Sequence, residues 1–484
     1  MRIGIVGAGA AGVGLLDALA ATGAKPGSIM VFDGSPAVWR GRPYQPDAEA
    51  VRVNAPPMIM SIRAGDPTHF QRWLAAQADV DGYLDASLGQ ILVPRARYGD
   101  YLEETARAAI SGLRAAGWRV GVVNAHVTGF AGAGGAAVLR TECGDRVPVD
   151  RAVLAVGSGR PRDHYGLTGA PGYVNEPYPL ARTLGNIAPR AHVGVIGSGL
   201  TAIDIAVTLA ANGHAGPISF LSRSGTLPFV QKRPVRLELR HLRPDVLHAA
   251  AERGGVTFGT LVELMRAELE ELGQDFDAFA AEIVGSEAPA DRLRRQLAEV
   301  DSPQHGSRLL TMAIRVAGPL AWRLLPESDR TMLRERHFRS INSLSSPMVP
   351  HNARTVLSLL DSGQLRLRPG VTKIEDHPGG GFTVVAGGTD RRVDVVVNAV
   401  NPPAYTTPAD TQPLISALLA SGAVDLRSGG GIPVDRATRA PVVRGRPDAT
   451  WHVLGNLAAD SMFIATNPPG LAAEAQRLAG ILTA

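Results

Sequence analysis

The chain has 484 residues, of which 45% are hydrophobic and 19% charged, and its formal net charge at pH 7 is +4. This length is enough for two or three domains with substantial cores, and no run approaches the roughly 18 apolar residues that a membrane-spanning helix needs. So small an excess of basic residues argues against a nucleic-acid partner. The first residues enter a strand-like run at once and lack the basic segment of a signal peptide, so we expect a cytoplasmic protein without a membrane partner.

A glycine-rich turn follows the first strand-like run, Ile3 to Val6, and reads Gly7, Ala8, Gly9, Ala10, Ala11, Gly12. In such a turn the first glycine allows the tight bend, the second lets the backbone approach a pyrophosphate, and the third lets helix and strand pack closely. The helix that follows points its N-terminal N–H groups at the phosphates. Asp33 ends the next apolar run, where a carboxylate can accept hydrogen bonds from a ribose diol. This turn therefore predicts FAD or NAD.

The rest of the first 170 residues predicts irregular loops, a helix from about Tyr98 to Gly117, and a meander of short strands. The segment closes with an apolar strand, Ala152 to Val156, followed by Gly157. A strand that is buried on both faces and ends in small residues lets the chain pass close beneath a dinucleotide. We therefore expect Gly157 to lie at the same site as the first turn.

The same device occurs a second time after Val193 to Ile196, and it reads Gly197, Ser198, Gly199, Leu200, Thr201, Ala202. The residue that corresponds in spacing to Asp33 is Arg223, which lies between Ser222 and Ser224. An arginine at this place meets a 2′-phosphate bidentately. The second copy therefore predicts NADPH. Two copies in register predict an α/β fold with two Rossmann-like dinucleotide-binding domains.

The organisation that follows is nested. We expect residues 1–170 to form the first part of an FAD-binding domain, 171–400 an NADPH-binding domain, and 401–484 a return to the first domain. A helical insertion of the second domain is predicted from about residue 233 to about residue 345, from its apolar spacing. Arginines are dense in this insertion. They either form solvated helix faces, or one or two of them bind an acidic substrate.

A family resemblance becomes specific after Asp33. Its residues are the runs Val38 to Tyr44 (VWRGRPY), Val53 to Met58 (VNAPPM), Asp66 to Phe70 (DPTHF) and Tyr98 to Leu102 (YGDYL), with Asp204 in the second fingerprint. These runs resemble bacterial FAD/NAD(P)-binding proteins related to flavin-containing monooxygenases and N-hydroxylating amino-acid monooxygenases. Within that group the chain is most similar to the branch of aspartate N-monooxygenases that form nitrosuccinate.

The resemblance implies a mechanism. NADPH would reduce FAD, O2 would add at the flavin C4a position, and the resulting hydroperoxyflavin would pass an oxygen atom to the amine of a small, aspartate-like amino acid. Asn54 matches an asparagine that hydrogen-bonds the oxygen adduct in flavin monooxygenases; alternatively it caps the turn before Pro56 and Pro57. Met58 would pack on the isoalloxazine. Gly455 would approach the ribityl and pyrophosphate of FAD, although Asn456 replaces the usual aspartate.

Other functions stay open at this point. One alternative is an NADPH-dependent flavin oxidoreductase or oxidase without oxygen insertion, and another is a non-enzymatic flavoprotein that senses redox state. Cys143 is the single cysteine, which excludes the flavin disulfide reductases, and the histidines lack zinc-ligand spacing, so no metal is expected. The oligomeric state is left open, with room for a homo-oligomer. The predicted catalytic residue is Asn54. The predicted cofactor-binding residues are Gly7, Ala8, Gly9, Ala10, Ala11, Gly12, Asp33, Gly34, Trp39, Asn54, Met58, Val127, Gly157, Gly197, Ser198, Gly199, Leu200, Thr201, Ser222, Arg223, Ser224 and Gly455.

Overall fold

The structure is a computed structural model, and it describes residues 1–131, 136–285, 287–402, 406–427, 430–458 and 467–484. The strands in these ranges are β1 (Arg2–Val6), β2 (Ser28–Phe32), β3 (Leu84–Asp85), β4 (Gln90–Ile91), β5 (Arg119–Val123), β6 (Val127–Ala131), β7 (Ala137–Thr141), β8 (Arg146–Val149), β9 (Arg151–Leu154), β10 (Tyr173–Val174), β11 (Val193–Ile196), β12 (Ile218–Leu221), β13 (Leu365–Arg368), β14 (Val371–Asp376), β15 (Phe382–Ala386), β16 (Thr389–Val393), β17 (Val395–Asn398), β18 (Val442–Val443), β19 (Arg446–Pro447) and β20 (Trp451–Val453).

The helices in the same ranges are α1 (Ala10–Ala21), α2 (His69–Ala75), α3 (Arg95–Ala115), α4 (Leu180–Leu184), α5 (Leu200–Ala211), α6 (Pro244–Arg253), α7 (Phe258–Glu270), α8 (Phe276–Val284), α9 (Pro289–Ala298), α10 (Gly306–Val316), α11 (Gly318–Leu324), α12 (Glu327–Met332), α13 (Phe338–Ser345), α14 (Pro350–Asp361), α15 (Gln412–Ser421) and α16 (Pro468–Thr483). Within the described part of the chain, every helix is too short or too polar to cross a lipid bilayer.

Two parallel sheets of five strands organise the chain. The first has the order β20-β9-β1-β2-β5 and the second the order β10-β17-β11-β12-β13, with parallel pairing throughout. Strands β1 and β11 are almost completely buried, because helices cover one face of each sheet and an antiparallel meander covers the other. Each sheet is accompanied by a three-stranded antiparallel meander, β6-β7-β8 or β14-β15-β16. The predicted α/β fold with two Rossmann-like units is confirmed.

The first sheet draws its strands from both ends of the chain. Strand β20 pairs with β9, and α16 packs against α1. One hydrophobic cluster contains Val13 and Leu16 of α1 together with Ala475 and Leu478 of α16. The segment after residue 400 therefore completes the sheet that the first residues begin.

The chain between Pro244 and Ser345 is largely helical, whereas residues 233–243, which the prediction also includes, form no helix. Most of these helices pack around two small cores, one centred on Leu247 and Trp322 and the other on Leu269 and Leu309, whereas Leu293 of α9 belongs to the large cluster that also contains Val356 of α14. The buried carboxylate of Glu268 joins the incoming chain to this bundle, since its Oε1 accepts hydrogen bonds from three successive backbone N–H groups, those of residues 240–242. The insertion therefore has cores of its own beside the second sheet.

Candidate active site

The first glycine-rich turn is held by backbone packing that leaves no room for side chains. Gly7 has φ of 103°, and its N–H donates to the carbonyl of Phe32 at 2.8 Å. A Cβ on Gly7 would lie 2.4 Å from the carbonyl oxygen of Ala155, and a Cβ on Gly12 would lie 2.4 Å from the carbonyl oxygen of Gly7. Real Cβ atoms do not approach backbone so closely, so both positions require glycine.

Asp33 is fixed against this turn. Its Oδ2 accepts a hydrogen bond from the N–H of Ala8 at 2.8 Å, and its Oδ1 accepts one from the N–H of Ser35, also at 2.8 Å. The Nδ2 of Asn124 donates to the carbonyls of Asp33 and Ser35, which holds the same loop from the side of β5. The carboxylate therefore stands beside the turn, where the sequence places it.

The second turn repeats the first in backbone detail. Gly197 has φ of 107°, and its N–H donates to the carbonyl of Leu221 at 2.7 Å. Helices α1 and α5 begin after Gly9 and Gly199 respectively, and neither has a side-chain cap. Because glycine offers no capping oxygen, the first N–H groups of both helices are left for a ligand. Two equivalent phosphate cradles result.

Arg223 lies on the surface in the bend after β12. Its side chain makes no hydrogen bond or ion pair within the described residues, whereas its carbonyl accepts a hydrogen bond from Gly370 at 3.2 Å. The neighbouring serines stabilise the bend, since Ser222 Oγ accepts from the N–H of Gly225 and Ser224 Oγ pairs with Thr226 Oγ1. Backbone and serine hydrogen bonds thus hold the bend in place, and the Arg223 guanidinium is available to bind an anion.

The remaining residues of the second fingerprint are engaged in different ways. Ser198 is buried, and its Oγ donates to the carbonyl of Thr226 at 2.7 Å, so it supports the bend that carries Arg223. Thr201 is also buried, and its Oγ1 accepts a hydrogen bond from Asn401 at 3.2 Å. Both side chains are therefore held by the protein.

Three further predicted FAD contacts are Gly34, Trp39 and Val127. A Cβ on Gly34 would lie 2.3 Å from the ring of His126, so a side chain at this position would require the His126 ring to move. Val127 is buried at the start of β6, and Trp39 is buried in a turn with φ of 81°. A positive φ is uncommon for a bulky residue and marks a backbone that its surroundings hold in place.

The ends of β9 and β20 carry glycines with positive φ. Gly157 has φ of 69° and open space where a Cβ would be, and Gly455 has φ of 89° beside Leu471. Both lie at the carboxyl edge of the first sheet, which is the edge where ligands bind in open α/β sheets. The structure thus places them at the same edge as Gly7 and Asp33.

Asn54 and Met58 belong to a loop between Arg52, which bridges to Pro94, and α2. Asn54 is half-buried, and its side chain makes no hydrogen bond to the turn or to any other described residue. Pro57 is buried, whereas Met58 is 57% exposed. The loop therefore carries, four residues apart, an amide without a hydrogen bond among the described residues and an exposed thioether.

Many arginines of the insertion form ion pairs with carboxylates. Among the pairs are Arg233 with Asp301, Arg240 with Glu271, Arg243 with Asp245, Arg294 with Asp291 and Asp361, Arg295 with Glu287, and Arg334 with Glu327. Arg292 instead donates to the carbonyl of Leu227, and its guanidinium lies over the Phe229 ring. These arginines are therefore already engaged with groups of the protein.

A buried ion pair that sequence reasoning missed joins the two dinucleotide-binding units. Arg95 begins α3, and its NH2 lies 2.7 Å from Oδ2 of Asp204, on α5. The hydroxyl of Tyr178 donates to Asp204 at 2.5 Å and accepts from Arg95 at 3.0 Å. Burial raises the pKa of Asp204, and the Arg95 guanidinium and the Tyr178 hydroxyl oppose that rise. Burial also raises the pKa of Tyr178, so its hydroxyl stays protonated and can donate.

A second arginine of the first unit makes similar contacts. Arg42 donates from Nε and NH2 to the carboxylate of Glu176 at 2.8 and 3.0 Å, and from NH1 to Oδ1 of Asn401 at 3.2 Å. Its guanidinium also lies 5.6 Å from the centroid of the Tyr178 ring. Because Asn401 in turn donates to Thr201, Arg42 is linked to the second fingerprint.

Comparisons with known proteins agree with this architecture. Residues 4–159 match a family model described as FAD-NAD(P)-binding, which confirms the predicted nucleotide-binding unit at the amino terminus. No curated protein is similar enough to the sequence to be matched.

Solved structures match over nearly the whole chain. L-lysine 6-monooxygenase from Pseudomonas syringae is 17% identical, with a TM-score of 0.60, and the match covers 99% of this chain and 98% of that one. The ornithine N-hydroxylase of Kutzneria sp. 744, with reduced FAD, NADP+ and L-ornithine, is 15% identical, with a TM-score of 0.60 and coverage of 99% and 97%. The FAD-bound cadaverine monooxygenase from Erwinia amylovora is 14% identical, with a TM-score of 0.61 and coverage of 99% and 92%. At these identities the likeness shows a common fold.

The close approach at Gly7 gives a stability test. We expect Gly7→Ala to destabilise the protein by more than about 3 kcal/mol, because a Cβ at positive φ would also overlap the Ala155 carbonyl. Gly23→Ala is the matched control, since Gly23 has φ of 62° and open space around it; it should cost only about 1 to 2 kcal/mol. Urea unfolding of both variants makes the comparison. Equal losses would show that backbone strain alone, rather than the close approach, makes Gly7 necessary.

Proposed function

We propose that the protein is an FAD-dependent, NADPH- and O2-using monooxygenase that oxygenates the amine nitrogen of a small, aspartate-like amino acid. The observation that carries the proposal is the pair of equivalent phosphate cradles whose second strands end in opposite charges, Asp33 and Arg223. This pair lies in a fold shared with an L-lysine 6-monooxygenase, an ornithine N-hydroxylase and a cadaverine monooxygenase. One cradle suits a flavin dinucleotide, and the other suits a phosphorylated nicotinamide dinucleotide.

The first cradle suits FAD on three structural grounds. The turn at Gly7 is bare, α1 has no side-chain cap, and the Asp33 carboxylate is held beside the turn by the N–H of Ala8. In this assignment the α1 N-terminus binds the pyrophosphate and Asp33 binds the adenosine ribose. Gly157 and Gly455 let the chain pass close to the rest of the nucleotide. Bound and reduced FAD would supply the activation of O2.

The second cradle suits NADPH because of Arg223. A guanidinium that has no partner among the described residues lies at the end of the second strand of the unit, beside two serine hydroxyls. A 2′-phosphate at this place would take charge-assisted hydrogen bonds from the arginine. The α5 N-terminus would bind the pyrophosphate, as in the first unit.

Asn54 is the group that we assign to the oxygen-reacting face of the flavin. Its amide has no hydrogen bond within the described residues, so it is available as a donor to a ligand. A fixed donor in a site that excludes water stabilises developing negative charge. The role of Asn54 would then be to hold the reacting oxygen and to prevent its loss as hydrogen peroxide.

An acidic substrate is favoured by Arg52, two residues before Asn54. The Arg52 guanidinium lies 5.2 Å from the centroid of the Tyr83 ring, and its Nε is buried without a partner within the described residues. A buried donor without a partner is costly, and a substrate carboxylate would satisfy it. Many of the insertion arginines already form ion pairs, so Arg52 is a better candidate for this contact than those are.

The proposed activity can be tested on purified protein. We expect a yellow protein with an FAD spectrum that oxidises NADPH faster when aspartate is added and forms a hydroxylamine or nitro product, as detected by mass spectrometry. Arginine and lysine serve as amine controls of opposite charge and should not accelerate the reaction. NADPH consumption that yields only hydrogen peroxide would identify an oxidase instead. A protein that binds FAD but leaves NADPH untouched would have a non-enzymatic, redox-sensing role.

The NADPH assignment predicts a selective effect of Arg223→Ala. We expect the KM for NADPH to rise roughly 10- to 100-fold while the KM for NADH changes less than about twofold, because the arginine meets only the 2′-phosphate. Arg366→Ala removes another exposed arginine, on the neighbouring strand β13, and should leave both KM values unchanged. Equal increases for the two nucleotides would remove the NADPH assignment.

The role of Asn54 predicts uncoupling. We expect Asn54→Ala to keep FAD bound and to oxidise NADPH, while roughly tenfold less product forms and hydrogen peroxide accumulates instead, because a donor to the reacting oxygen is lost. Asn212→Ala, at an exposed asparagine after α5, is the control. Peroxide yield and product yield per NADPH are measured together. Unchanged coupling would reduce Asn54 to a residue of the loop.

A further inference from the structure

The two units meet through arginines of the first that reach the second. Arg95 and Arg42 both belong to the first unit, and their partners lie in or directly after the second unit. Glu176 follows β10, the first strand of the second sheet along the chain, and Asn401 follows β17, the last. Arg42 therefore contacts the second unit near the place where the chain enters it and again where the chain leaves it.

The inner contact is dehydrated. The side chains of Asp204 and Arg95 are 3% and 14% exposed, and the Tyr178 ring that joins them is buried as well. A buried ion pair offsets its desolvation only when its geometry is good and its remaining lone pairs are satisfied. Here the Tyr178 hydroxyl and the Arg52 carbonyl, which accepts from Arg95 Nε at 3.1 Å, complete the geometry. Each of these hydrogen bonds has a fixed direction, so the contact is sensitive to a change in the relative orientation of the two units.

Arg42 makes an outer contact that ends at the second fingerprint. From Arg42 the hydrogen bonds run to Asn401 and from Asn401 to Thr201, the second residue of α5. Asp204 lies three residues further along the same helix. Arg42 and Arg95 therefore hold α5 at two points about one turn apart, which fixes the helix whose N-terminus forms the second phosphate cradle.

We propose that Arg42 and Arg95 are positioning residues that hold the second dinucleotide-binding unit in the one orientation in which hydride passes between the two nucleotides. The inference rests on the proposed function, because it concerns the reductive step of that reaction. Neither arginine is assigned a contact with a nucleotide. They act through Tyr178, Asp204 and Asn401, which lie in or directly after the second unit. A displacement of about 1 Å between a hydride donor and its acceptor lowers the rate roughly a hundredfold. A rigid connection between the units would therefore affect the rate of hydride transfer directly.

Arg40 provides a matched control in the same loop. Its side chain is 11% exposed, compared with 24% for Arg42, and it binds two carboxylates, Asp100 at 2.6 Å and Glu103 at 2.8 Å. Both partners lie on α3 of the same unit. Arg40→Gln therefore removes an arginine and its ion pairs without affecting a contact between the units.

The first measurement reports the arrangement of the units directly. Spin labels are attached at the exposed Cys143 and at a cysteine that replaces exposed Asn212 at the end of α5. Double electron–electron resonance on this doubly labelled protein should give a narrow distance distribution. Arg42→Gln should broaden it, and Arg40→Gln should not. An unchanged distribution in Arg42→Gln would overturn the proposal whether or not NADPH reacts.

The second measurement reports the kinetic effect. In anaerobic stopped-flow experiments, flavin reduction at saturating NADPH should be roughly ten- to a hundredfold slower in Arg42→Gln than in the parent. Bound FAD and its reduction by dithionite should be unchanged, as should the rate in Arg40→Gln. A role in folding alone would instead lower the FAD content and slow Arg40→Gln to the same extent, which would contradict the inference.

A double variant keeps the inner contact testable. Arg95→Ala alone leaves the Asp204 carboxylate buried and unpaired, and such a variant can fail to fold. Arg95→Met combined with Asp204→Leu replaces the pair by apolar side chains of similar volume, an exchange that is often neutral for stability. We expect this double variant to fold, to retain FAD, and to show the broad distance distribution and slow reduction of Arg42→Gln. Parent-like values in both measurements would refute the positioning role of Arg95. If the parent itself is not reduced by NADPH, the proposed function fails, and the distance measurement still decides whether the arginines fix the units.

Discussion

The close passage of backbone at Gly7 is the constraint from which the first site is built. The chain turns there at φ of 103° against the carbonyl of Ala155, so β1, β9 and the start of α1 meet without an intervening side chain. Only this closeness lets the N–H of Ala8 reach the Asp33 carboxylate and leaves the first turn of α1 open to a phosphate. The turn at Gly197 has a similar φ and the same hydrogen bond to the next strand, although a Cβ there would lie 3.5 Å from the Ala399 carbonyl oxygen, which is an ordinary contact.

Much of this arrangement could be predicted from sequence because it is local. The spacing of glycines after an apolar run, and a charged residue at the end of the next strand, are readable in one stretch of chain. The exposure of Met58 could not be predicted from the sequence, because Pro57, Met58 and Met60 form one apolar run. In the structure, the short helical turn buries Pro57 and Met60 and exposes Met58. Local pattern does not reveal which face of so short a turn is covered.

The contact between the units could not be predicted from sequence patterns, because its partners are far apart along the chain. Arg95 and Tyr178 are 83 residues apart, and Arg42 and Asn401 are 359 apart. No periodicity links such positions, and an arginine beside several others in the chain carries no sign of its partner. The same limit applies to the insertion, where the spacing predicts helices but not which arginines pair with which carboxylates. Only the assembled fold separates structural arginines from Arg223, which stays unpaired within the described residues.

The participation of β20 in the first sheet has a consequence for biosynthesis. The first unit cannot be completed until the whole second unit has been synthesised, since its edge strand β20 and the helix α16 that covers α1 follow the second unit in the chain. The second unit is continuous in sequence apart from its insertion and can become compact earlier, in line with domain-wise folding during synthesis. A truncation that removes β20 and α16 would therefore damage the unit that contains β1 and α1.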